Sequence, residues 1–225
     1  MSPRIAPLVL FDLDGTLLDT APDLAAAVNR VLADLGRPAV PESLLRPRVS
    51  KGGRALLATA LPDLDEAARD ALIPPFLAHY AADIASGTRP YPGMEAALAR
   101  IDRAGSRWGI VTNKPEGLAR ALVARIGWSA RCAVLVGGDT LPVRKPDPAP
   151  LLHAARLAGA APGDCVYVGD DARDVLAARA AGMPSVAALW GYRDADEDPV
   201  LWQADRYAQD PFALDDALLA AAVPA

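Results

Sequence analysis

The chain has 225 residues, 52% of them hydrophobic, and a formal net charge of -5. That length and apolar content suffice for a buried core in one large domain or a domain plus insertion, so disorder is not the default expectation. The acidic balance offers no basic footprint for nucleic acid or an anionic membrane, so neither is an expected partner, and an anionic substrate has to be gathered locally.

The N-terminal apolar stretch after Arg4 is interrupted by Pro7 and ends at Asp12, too short and too early for a signal peptide. No run approaches membrane-spanning length. A cytoplasmic, reducing setting follows as the expectation. Cys132 and Cys165 each open an apolar run, which favours two small buried side chains over a disulfide.

In chain order, Leu8-Val9-Leu10-Phe11 is a continuous apolar run that stops at an acidic, glycine-containing segment, as a central parallel strand feeding a functional loop does. From Leu17 to about Arg89 no clear strand appears. Leu24, Val28, Val31, Leu32 and Leu35 mark one helical face there, with Pro22 in the first turn and Gly36 after the end. Further helices are predicted over 55–61 and 66–72, and Pro74-Pro75 breaks the pattern before another over 78–85. Strand-like runs at 108–111, 132–136, 165–168 and 185–189 then alternate with helices at 115–126, 149–157 and 174–181. The tail turns acidic at 194–198 and ends in an Ala/Leu helix. This pattern predicts an α/β fold: a doubly wound parallel-sheet, Rossmann-like catalytic core over 1–18 and 89–225, with a helical cap over 19–88 able to close as a lid.

Asp12 and Asp14 stand two apart at the end of the first strand, so a continued strand would point both to one side. Two buried carboxylates require a compensating cation or a shared proton, and a metal is the expected answer. Gly15 and Thr16 follow in a turn that either cradles phosphate with its N–H groups or merely closes the strand end. Thr112 and Asn113 follow the next core strand, where a hydroxyl and free amides are placed to hold phosphate. Lys145, in a proline-bounded loop, is the candidate positive charge opposite the carboxylates. Asp170, directly after the strand at 165–168, is the better metal-ligand candidate of its acidic cluster; Asp171 and Asp174 serve equally as ligands or as compensation for a helix N-terminus. Lys51-Gly52-Gly53-Arg54 is either an anion-contacting segment of the cap or a helix-start loop with solvated charges.

Asp12-x-Asp14-Gly15-Thr16, then Thr112, Lys145 and Gly169-Asp170-x-x-x-Asp174, resemble the four motifs of haloacid-dehalogenase-like phosphatases, in order and over nearly the whole chain. The resemblance implies Mg2+ as cofactor, held by Asp12, Asp14, Asp170 and Asp174. It implies Asp12 as nucleophile, Asp14 as general acid/base, Thr112 as a phosphate-binding hydroxyl and Lys145 as charge partner, acting on a small phosphorylated metabolite in a monomer or homodimer. Sugar-phosphate mutases of the family tend to carry histidine where Leu24 stands, which favours a phosphatase. A non-catalytic phosphate-binding module is the other alternative, opposed by the presence of both Asp12 and Asp14. The segments at 19–24 and 111–115 look like phosphoglycolate phosphatases, whereas Trp108-Gly109 and Trp190-Gly191-Tyr192-Arg193 are similar to N-acetylmuramic acid 6-phosphate phosphatases.

Overall fold

The computed structural model describes residues 5–221; Arg4 and the outermost ends of the expected core, 1–4 and 222–225, lie outside the described residues. The chain starts with β1 (Leu8–Phe11) and a two-residue β2 (Leu18–Asp19). It then runs through α1 (Ala21–Asp34), α2 (Glu42–Leu45), α3 (Gly53–Ala60), α4 (Glu66–Ala71) and α5 (Ile73–Ala82), and returns through β3 (Arg89–Pro90). Thereafter come α6 (Met94–Arg103), β4 (Arg107–Val111), α7 (Glu116–Ile126), β5 (Cys132–Val136), α8 (Ala149–Leu157), β6 (Cys165–Gly169), α9 (Ala172–Ala180), β7 (Ser185–Ala188), β8 (Arg206–Ala208) and α10 (Leu214–Ala221).

Six strands form one parallel sheet in the order β5-β4-β1-β6-β7-β8. β1 is buried throughout because helices cover both faces of the sheet. Its side chains alternate between two cores, as the strand period requires. Val9 and Phe11 join Leu98 and Ile101 of α6 and Leu122 of α7. Leu8 and Leu10 join Leu151 and Ala154 of α8 and Ala177 of α9.

The insertion after β1 is helical as expected, with three differences. β2 and β3 pair antiparallel where no strand was expected, Leu18 opposite Pro90 and Asp19 opposite Arg89. Pro74 and Pro75 do not break a helix but occupy the first turn of α5, where a missing N–H costs nothing. Leu35 is exposed because it is the C-cap of α1, past the face formed by Leu24, Val28, Val31 and Leu32. α6 and the edge strand β8 were not anticipated. α9 starts two residues earlier than predicted, because the Asp171 carboxylate accepts the Arg173 N–H at 3.0 Å while Asp174 accepts the Asp171 N–H at 3.1 Å, a reciprocal cap.

Both cysteines are free, and burial pushes each thiol up to about 11. Among the described residues no helix is long and apolar enough to cross a membrane.

Candidate active site

Asp12, Thr112 and Asp170 each follow directly on one of three adjacent central strands, β1, β4 and β6. From β1 the chain builds outward to β4 and β5, then returns to the other side of β1 as β6. Such a reversal opens a crevice at the carboxyl ends of the strands.

In that crevice Asp12, Asp170 and Asp174 bring carboxylate oxygens within 4.8 Å of one another, all three buried. Lys145 enters from its loop with a fully buried side chain, 2.7 Å from Asp174 and 3.1 Å from Asp12. Its ammonium also donates to the Tyr167 hydroxyl at 2.7 Å, which in turn donates to the Val111 carbonyl at 2.7 Å. The lysine is therefore an internal cation of the site, not a solvated loop charge. Burial, then the charges of Asp12 and Asp174, push the Asp170 carboxyl well above the usual carboxylate range. Burial likewise pushes Asp174 up to about 6, against the pull of Lys145. Three carboxylates against one ammonium in contact leave two negative charges, and the donors are all hard oxygens. That set fits a divalent cation such as magnesium.

Asp14 is not in this cluster. Its carboxylate turns to Lys114, which lies 2.9 Å from one oxygen and 3.3 Å from the other. The separation follows from that ion pair, which draws Asp14 to the cavity wall while Asp12 stays on the lysine inside. The Lys114 ammonium also stands 4.3 Å from the centroid of the Tyr80 ring on α5. Asp12, Asp14, Thr112, Lys114 and Lys145 all line one cavity of about 470 Å³, whose far wall comes from the insertion.

Other expected site residues take different parts. The Gly15 N–H is spent on the Leu18 carbonyl at 3.0 Å rather than facing the cavity. Gly15 has a φ of +83°, and a Cβ there would lie 2.1 Å from the Asp170 carboxylate, so only glycine fits. Thr16 donates its hydroxyl to Asp170 at 3.1 Å. Asn113 holds the Lys145 backbone from both sides: its amide donates to the carbonyl at 3.0 Å and its oxygen accepts the N–H at 3.1 Å. Thr16 thus braces the Asp170 carboxylate and Asn113 the lysine loop, while Gly15 leaves room for the carboxylate.

Lys51, Gly52, Gly53 and Arg54 do line the cavity. The Lys51 ammonium bridges Asp171 at 2.9 Å and Glu197 at 3.0 Å, whereas Arg54 is exposed at the rim and pairs with Asp70 at 3.0 Å. Burial pushes the Asp171 carboxyl up, but the Arg173 and Lys51 cations more than offset it, so the net direction is down. Sequence reasoning missed Ser50, which donates to Asp170 at 2.6 Å, and Tyr192, whose N–H reaches the same carboxylate at 2.9 Å. Ser50 carries no motif. Tyr192 lies in a segment whose resemblance had been noted without a structural role.

A family model of haloacid dehalogenase-like hydrolases matches residues 6–182. The chain is 58% identical over 208 residues to a phosphoglycolate phosphatase of Xanthomonas campestris pv. campestris, covering 92% of this chain and 94% of the relative. It is 42% identical over 211 residues to an N-acetylmuramic acid 6-phosphate phosphatase of Pseudomonas aeruginosa, covering 93% of each. The crystal structure of a predicted phosphoglycolate phosphatase from Haemophilus somnus superposes with a TM-score of 0.83 at 27% identity, covering 94% of this chain and 97% of that one. With its parallel sheet, its strand-end carboxylates and these similarities, the chain belongs to the haloacid dehalogenase-like hydrolase family and is an enzyme of its phosphatase branch.

Proposed function

We propose that the chain is a magnesium-dependent phosphomonoesterase that acts through a phospho-aspartyl intermediate on Asp12. The observation that carries this reading is the division of labour among the buried carboxylates: Asp12, Asp170 and Asp174 gather around Lys145, while Asp14 stands apart beside Lys114. Asp12, Asp170 and Asp174 would hold the ion. When bound, magnesium supplies positive charge against the transferring phosphoryl group.

Asp12 attacks phosphorus and the ester P–O bond breaks, while Asp14, entering this step in its protonated form rather than as the Lys114-paired carboxylate, gives that proton to the departing alkoxide. Asp14 then takes a proton from water as that water attacks the phospho-aspartate, releasing phosphate and restoring Asp12. Lys145 sets one positive charge against Asp12 and Asp174. The Thr112 oxygen accepts the Lys114 N–H at 3.2 Å, which leaves its own proton for a phosphoryl oxygen. In this reading residues 19–88 form the cap and 1–18 with 89–225 the catalytic core.

The names of the relatives supply two candidate substrates, 2-phosphoglycolate and N-acetylmuramic acid 6-phosphate. A mutase is disfavoured: Leu24 lines the cavity, while His79 pairs with Asp34 and His153 with Arg156, both away from it. Rapid quench with radiolabelled substrate tests the assignment. Asp12→Asn is expected to form no covalent label. Asp14→Asn is expected to label and stall when the leaving group departs without protonation. Label on Asp12→Asn, with the variant folded, would overturn the roles.

A further inference from the structure

One wall of the cavity is a single helix face. Ile73, Phe76, Leu77 and Tyr80 of α5 stand at positions i, i+3, i+4 and i+7, and all four line the cavity. Leu118 of α7 contributes apolar surface from the core. At about 470 Å³ the cavity is of ordinary size for a small-molecule site, roughly 300–1,000 Å³. A two-carbon acid has almost no apolar surface to bury against such a wall, so the wall adds nothing to its recognition.

Tyr80 sets one polar atom into this face. The residue is 1% exposed, and among the described residues its hydroxyl proton finds no acceptor. A buried hydroxyl proton left without an acceptor is costly and uncommon. The Lys114 ammonium beside the ring can only donate, so it gives the hydroxyl proton no acceptor. Burial pushes the phenol up, so that proton is kept.

We propose that Tyr80 is a substrate-contacting residue of a leaving-group subsite on the inward face of α5, its hydroxyl donating to an oxygen of the organic group. The preferred substrate is then the phosphate ester of an organic group with an apolar face and more bulk than a two-carbon acid. This rests on the phosphatase reading above and specifies which ester that site selects.

Steady-state kinetics of the full chain with Mg2+ on 2-phosphoglycolate, N-acetylmuramic acid 6-phosphate and p-nitrophenyl phosphate test the subsite. The wild type is expected to favour the acetylated sugar phosphate over 2-phosphoglycolate by tenfold or more in kcat/KM. Tyr80→Phe keeps the ring over Lys114 and loses only the donor. It is expected to cut that preference about three- to tenfold, the range of one hydrogen bond, mainly through KM. Leu77→Ala should cut it as well, through the wall alone. Preference for 2-phosphoglycolate, or an unchanged ratio in a folded Tyr80→Phe, would overturn the subsite while p-nitrophenyl phosphate turnover leaves the phosphatase reading standing. Failure of the wild type on all three esters would overturn that reading itself.

Discussion

Ser50, on the helical insertion, donates its hydroxyl to Asp170, on the sheet, at 2.6 Å across 120 positions of chain. The contact ties the orientation of a core carboxylate to the seating of the insertion. Neighbouring cations act in the same place: Arg48 pairs with Asp194, and Lys51 with Asp171 and Glu197. Partners that orient a metal-binding carboxylate typically change affinity by about 10–100-fold when removed. Ser50→Ala is therefore expected to raise the Mg2+ concentration for half-maximal activity about tenfold, with a matching loss in calorimetric Mg2+ binding. Unchanged binding would reduce Ser50 to a packing residue.

The raised carboxyls predict how metal and pH interact. Asp174 is pushed up to about 6 and Asp170 well above its ordinary value, both first by burial. Their folded-state pKa values exceed the unfolded ones near 4, so the folded chain holds these protons more tightly. The stability that Asp174 contributes is complete below about pH 4 and is lost as pH rises through about 6, and Asp170 acts in the same direction. In the proposed reading magnesium competes for the same oxygens. The rise in melting temperature on adding Mg2+ should accordingly grow between pH 5 and pH 7, as scanning fluorimetry with and without chelator can measure. A gain that stays flat over this window would separate the ion from these carboxylates.

Lys145 sets a positive charge directly against two of the buried carboxylates. Its side chain is fully buried against Asp12 and Asp174. Removing one partner of a buried ion pair typically costs about 3–5 kcal/mol because the remaining charge stays unpaired. Lys145→Met keeps most of the volume and is expected to destabilise the metal-free protein by about that amount at pH 7.5, and by less at pH 5, where Asp174 takes up a proton. Urea unfolding at the two pH values would measure the difference. Equal losses at both would assign the effect to packing.

Much of this site is legible before folding because its residues sit where apolar runs stop. Asp12 after Phe11, Thr112 after Val111 and Asp170 after Gly169 are placed by the ends of buried strands. What the linear chain hides is tertiary. Nothing around Lys145 announces that Tyr167 and Asp174 will enclose it. Asn113 reads as a free amide until its partner turns out to be a backbone 32 positions away. The β8 segment has one buried residue of three, so an edge strand leaves little periodic signal. Pro74-Pro75 is ambiguous in sequence, since proline both ends helices and begins them.

The pairing of β2 with β3 sets the two ends of the insertion side by side, Asp19 opposite Arg89. Just beyond, the Asp23 carboxylate accepts the N–H groups of Gly87 at 2.6 Å and Thr88 at 2.9 Å, stitching the base shut. Adjacent strands lie about 4.8 Å apart, so the chain enters and leaves the insertion through one narrow neck whose width does not depend on what hangs from it. Lengthening the insertion would cost little in closure entropy, which grows only slowly with loop length, so long as Ser50 and Lys51 keep their contacts with Asp170 and Asp171. In the proposed cap-and-core reading, the neck makes the insertion a cassette that can diverge in its cavity wall while the few residues that touch the carboxylates stay in place.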